Sequence, residues 1–216
     1  MLNLILKDLM VQRKTLLFGF AYILIFSFAF STGGSAMFTA GAFAVTYLLI
    51  QTPCAHDDKC HADRMLNSLP VSRGTIVAAK FLSVPLYVII GTLQYLAVYW
   101  LVTLTGIPIK VYPATFEAFV GLLAVSAFFA SVYYPILFRF GYMKTRYLNV
   151  GLFALLFAAG SAVVLAIKNA DNLNAVNGFL QSQPPWLLMM GGVGVLLAVA
   201  LVSYLLSARF YSNREF

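Results

Sequence analysis

The sequence predicts an all-α, polytopic membrane protein with six transmembrane helices, an N-terminal interfacial helix and a helical segment outside the bilayer. Three observations carry this. Of 216 residues, 62% are hydrophobic and only 10% charged, and the mean hydropathy is +0.89, more apolar surface than a soluble fold of this length can hide. The apolar residues come in runs of roughly 17 to 25, the length that crosses about 30 Å of hydrocarbon at 1.5 Å per residue. The polar connections between the runs differ sharply in their content of Lys and Arg, alternating along the chain.

The elements follow in order. Residues 1–14 mix Leu and Ile with Asn3, Lys7, Asp8, Gln12, Arg13 and Lys14, too polar to span and suitably amphipathic to lie along the interface. A first span is expected over 15–31, a tight uncharged turn at Thr32-Gly33-Gly34, and a second span over 35–51. Thr52-Pro53 then opens the longest polar segment, 53–80. In it Leu69-Pro70 marks a helix break, and Ser72 is placed to cap a following helix. The remaining spans are expected at 81–105, 114–138, 147–167 and 186–207, with Pro135 loosening the end of the fourth. The whole chain, 1–216, reads as one transmembrane domain without internal repeat or low-complexity tract.

The formal charge of +7 does not mark a nucleic-acid binder, because the basic residues are dispersed between apolar runs; their expected partner is the anionic face of the lipid bilayer. Lys7, Arg13, Lys14, Lys59, Arg64, Arg73, Lys80, Arg139, Lys144, Arg146, Arg209 and Arg214 fall on one side, and Lys110 and Lys168 on the other. The positive-inside rule therefore puts both termini and the long polar segment in the cytosol, in a multi-pass protein of the cell membrane. Lys7, Asp8, Arg13 and Lys14 break up the apolar residues of the N-terminus, which does not read as a cleaved signal.

Ion-coupled transporters place ionisable groups inside the membrane. None lies deep in these spans; Glu117 comes nearest, within a turn of the predicted outer boundary. Intramembrane proteolysis is excluded on similar grounds, since Ser35 and Ser161 have no histidine in any span to serve as base. No Gly-x-x-x-x-Gly-Lys-Ser/Thr phosphate loop occurs. The chain is not expected to be an enzyme, and no cofactor or catalytic residue is assigned. Energy for uphill movement would come from a separate ATPase.

The segment 53–80 has two halves. Cys54, His56, Asp57, Asp58, Cys60 and His61 are metal-ligand types without a standard knuckle spacing, so a hydrated polar loop explains them and no metal site is assigned. A disulfide between Cys54 and Cys60 is not expected in the cytosol. In the second half, Leu66, Leu69, Ile76 and Val77 lie too far from the spans to be wholly explained by lipid. They suit either a docking knob for a partner protein or a helix lying on the membrane with Arg73 and Lys80 on phosphates.

Asp57, Asp58, Lys59 and then Leu66, Ser68, Leu69, Pro70, Val71, Ser72, Arg73, Ile76, Val77 and Lys80 resemble a pattern of the ABC-2 type permeases, specifically small six-span subunits paired with a separate ATPase. Residues 2–9, 138–144 and 146–147 look like the same family, so the similarity covers nearly the whole chain. Asp58 stands where glutamate is usual, Gly74 where a better helix former is common, and Cys60-His61 replaces ordinary polar residues. The resemblance implies that the segment is a cytoplasmic coupling helix docking on a cytosolic ABC ATPase through Asp57, Asp58, Leu66, Leu69, Pro70, Val71, Ser72, Arg73, Ile76, Val77 and Lys80. It also implies that a second permease copy, or a related permease, completes the pathway. The implied function is ATP-driven export; nineteen Phe and twelve Tyr suit an amphipathic or apolar cargo, a peptide first. A membrane anchor or sensor that recruits an ATPase complex without transporting is the alternative.

Overall fold

The computed structural model describes residues 2–29, 36–60, 72–105, 111–168 and 185–212, and all the regular structure among them is helical. The elements are α1 (Leu2–Val11), α2 (Arg13–Ala29), α3 (Ala36–Lys59), α4 (Arg73–Thr105), α5 (Phe116–Phe140), α6 (Tyr142–Lys168) and α7 (Pro185–Ser212). Among the described residues, α3, α4, α5 and α7 are long and apolar enough to cross a membrane, and α1 with α2 makes a fifth if that pair, bent by 60°, is one span.

α3, α4 and α5 form the centre. α2 packs on α3 and α4, α6 on α5 and α3, and α7 on α5 and α4. The core is aromatic: Phe38, Tyr87, Tyr95, Phe129, Tyr133 and Tyr134 are all essentially inaccessible. α3 and α4 approach closely at Gly91, where a Cβ would stand 2.9 Å from Thr46 Oγ1 and 3.1 Å from the Ala42 carbonyl, so glycine there sets the helix separation. α7 is apolar all round, with 11% of its spanning window buried.

Two prolines explain where the helices depart from expectation. The second span was expected to end near Gln51, where Thr52-Pro53 opens the polar segment, and the helix α3 continues through Pro53 to Lys59. Proline lacks the N–H that would bond the carbonyl four residues back, here Leu49. That carbonyl instead accepts from Gln12 Nε2 at 2.9 Å, so it is not left unpaired, and Gln12 pins the α1–α2 corner to α3. Pro135 likewise frees the Ser131 carbonyl inside α5, and Ser203 Oγ of α7 donates to it at 2.6 Å. Pro135 fastens α7 to α5.

Other boundaries shift for local reasons. The expected interfacial helix over 1–14 ends at Val11, and Arg13 and Lys14 open α2. The two described ends of the long polar segment continue the neighbouring helices: 53–59 is the last part of α3, and 73–80 is the first part of a continuous 33-residue α4. At about 1.5 Å per residue α4 is roughly 50 Å long, more than the hydrocarbon thickness. Ser72 caps it, its Oγ accepting from Thr75 N at 3.3 Å. Between α5 and α6 the turn narrows to Gly141, whose φ of 77° suits glycine after a helix end. Thr145 Oγ1 donates back to the Gly141 carbonyl at 2.6 Å.

Candidate functional site: the charged end of the bundle

The ends of α3, α5 and α7 and the starts of α4 and α6 meet at one end of the bundle, with α1 packed on α3 and α4 there. Four charged side chains converge. Lys80 Nζ of α4 sits between Asp8 Oδ2 of α1 at 2.9 Å and Asp57 Oδ2 of α3 at 2.8 Å. Lys7 Nζ of α1 reaches the other Asp57 oxygen at 2.7 Å and lies 3.3 Å from Asp8 Oδ1, an ion-pair distance without hydrogen-bond alignment. Asp8, Asp57 and Lys80 are 3%, 9% and 8% exposed. Two cations and two anions cancel, which makes burial tolerable; removing one partner would leave an uncompensated buried charge. Tyr134 of α5 donates to the Lys80 carbonyl at 3.1 Å, joining a fourth helix to the cluster.

Arg73, at the start of α4, donates to the Ser212 carbonyl at 2.6 Å and reaches that of Tyr211 at 3.5 Å. The guanidinium thus caps the last turn of α7, where unsatisfied carbonyls and the helix dipole favour a cation. Ring contacts reinforce the joint: Phe138 of α5 meets Tyr211 of α7 edge-on at 5.2 Å.

These positions change the sense of several sequence expectations. Ile76 and Val77, candidates for a docking knob, lie in the core at 4% and 0% exposure. Their side chains point into the bundle because α4 is already packed on its neighbours at that level. Asp57, Arg73 and Lys80 are engaged within the chain. Asp58 is half-buried and Ser72 is exposed. Leu66, Leu69, Pro70, Val71 and His61 lie outside the described residues, as do the turn at Thr32 to Gly34 and the connections at 106–110 and 169–184.

The expected hydrated loop around the cysteines is helix instead. Cys54 is buried in α3, its Sγ donating to the Ile50 carbonyl at 3.4 Å, while Cys60 is exposed beyond the helix end. Six residues on a helix turn the two thiols to different faces, and both are free. Among the described residues no three of His, Cys, Asp and Glu converge as a metal site. Glu117 is exposed in the first turn of α5.

Sequence reasoning used Lys7, Asp8 and Gln12 for the polarity and charge of the N-terminal helix and did not connect them to Asp57, Lys80 or Leu49. The available signal was arithmetic: Lys7 and Asp8 near one helix end, Asp57 and Lys80 near two others, summing to zero.

Such an all-helical bundle, apolar outside and closed by charges at one end, is a multi-pass membrane protein. The chain belongs to the ABC-2 family transporter proteins, whose family model matches residues 3–212. No curated protein and no solved structure matches it. Membership makes the chain a membrane permease of an ABC transporter, a transmembrane component that is not itself catalytic and that associates with an ABC ATPase.

Proposed function

We propose that this permease is the membrane-spanning subunit of an ATP-driven exporter, with α2 to α7 as its six spans and both termini in the cytosol. The orientation rests on the excess of Lys and Arg at the charged end. A separate cytosolic ATPase docks on the segment between Asp57 and Lys80, and its closure on ATP rocks the helices around a pathway shared with a second copy or a related permease. The cargo is amphipathic, a peptide ahead of a drug or lipid.

One observation carries this reading: both ends of the segment are fastened to the bundle. Asp57 and Lys80 share one buried ion cluster, and Arg73 is tied to α7. A push on the segment is therefore delivered to α1, α3, α4 and α7 together. Leu66 and Leu69 remain the docking contacts, since Ile76 and Val77 face the core. Asp57, Arg73 and Lys80 act as positioning residues, holding the docking element in place.

The test is co-purification with the cognate ATPase, comparing wild type with Leu69→Asp and with Arg73→Leu. Wild type is expected to retain the ATPase and Leu69→Asp to lose it with helical content unchanged, while Arg73→Leu keeps binding but loses stimulation of ATP hydrolysis by cargo. Failure of the wild-type chain to hold an ATPase refutes the docking. ATP-dependent accumulation of a dansylated amphipathic peptide in inside-out vesicles separates an exporter from an anchor.

A further inference from the structure

Between α3, α5 and α6, away from the ion cluster, the bundle holds a layer of polar side chains whose hydrogen bonds are unmade. Asn149 of α6 is 2% exposed, yet neither its Nδ2 nor its Oδ1 has a partner among the described residues. Gln51 Nε2 on α3 is likewise without a partner, and Tyr133 Oη on α5 makes no hydrogen bond, with the Cys54 thiol as its polar neighbour. Helical register places the three at one level. Tyr47 and Phe153 rings lie 4.2 Å apart and Tyr47 and Phe129 rings 5.2 Å apart, forming an aromatic layer. Gln51, Tyr133 and Asn149 each sit four residues from one of these rings, all toward the charged end, because α3 and α5 run toward it and α6 away. Tyr133 stacks on Phe129 at 5.6 Å.

Buried polar atoms in a folded protein are almost always paired, so several orphans on one level point to a group that binds among them. We propose that this layer binds the amide group of a small amphipathic molecule whose apolar body lies against the rings of Tyr47, Phe129 and Phe153. The chemistry selects the class. The layer offers amide N–H donors, a hydroxyl and the Asn149 carbonyl, and none of its three side chains is charged. An amide, with one C=O and one N–H, satisfies Asn149 by a two-point contact; a charged head group would be buried without a counter-charge. α6 is the wall able to admit the ligand. It is held by one face near its start, where Thr145 and Asn149 are buried, while Tyr147, Leu148, Val150 and Leu155 are exposed. A Cβ on Gly151 or Gly160 would meet nothing within 4 Å. Identifying the bound molecule as cargo rests on the exporter reading above; the binding itself does not.

The test uses the full chain in phosphatidylcholine nanodiscs without any ATPase. The probes are N-acetyl-leucyl-phenylalanine methylamide and an analogue whose amide N–H groups are replaced by ester oxygens, with empty nanodiscs as the partition control. The amide probe is expected to bind about tenfold more tightly than the ester, the worth of one or two buried hydrogen bonds. Asn149→Leu should abolish that preference and Tyr133→Phe, which keeps the ring packing, should reduce it. Equal binding of both probes by wild type, or a preference unchanged in Tyr133→Phe and in folded Asn149→Leu, overturns the proposal and leaves the layer to ordered water. Loss of this binding would leave ATPase docking untouched, and loss of docking would leave this site standing.

Discussion

Removing the hydroxyl of Ser203 tests the link between α5 and α7 most directly. Ser203 is 4% exposed and its Oγ lies 2.6 Å from the Ser131 carbonyl, which Pro135 deprives of its helical N–H. Ser203→Ala leaves that buried carbonyl without either bond, a cost of about 1–2 kcal/mol by soluble-protein and membrane-helix precedents. In a Pro135→Ala background residue 135 recovers its N–H and can satisfy the carbonyl along the helix, so the same serine substitution should then cost less than about 0.5 kcal/mol. The assay is reversible unfolding of the four proteins of this double-mutant cycle in mixed micelles. Equal costs of Ser203→Ala in the two backgrounds would refute the argument that proline creates the acceptor Ser203 fills.

Lys80→Met should destabilise the protein by about 3–5 kcal/mol, because Asp8 and Asp57 would face each other with Lys7 alone between them; a loss under about 1 kcal/mol in the same unfolding assay would mean the cluster is already hydrated. Gly91→Ala should cost about 1–3 kcal/mol by pushing α3 from α4, and an unchanged stability would show that Thr46 moves aside freely. A membrane-impermeant maleimide should label Cys60 and spare Cys54 until the protein unfolds; in sealed cells it should label neither, and labelling of Cys60 from outside would reverse the proposed orientation.

How far the sequence could be read follows from the range of the forces involved. Apolar runs of spanning length force helices wherever they occur, because backbone polar groups in lipid have no other partners. That much, with the side bearing most Lys and Arg and the Ser72 cap, is local and was visible in the chain itself. The motif from Asp57 to Lys80 pointed to the family that residues 3–212 match.

The tertiary structure decided what those residues touch. The bond that Pro53 breaks is local, whereas the donor that takes up the freed Leu49 carbonyl, Gln12, lies 37 residues from Leu49 in sequence. Lys80 and Arg73 read as surface cations on a docking helix; their partners Asp8 and Ser212 are 72 and 139 residues distant. The polar layer of Gln51, Tyr133 and Asn149 exists only because three separate helices bring one residue each to the same depth. Composition and spacing determined that this chain crosses the membrane and where it carries charge. Pairing across helices determined which polar groups are spent on holding the bundle and which remain open, since a hydrogen bond or ion pair depends on distance in space and not on separation along the chain.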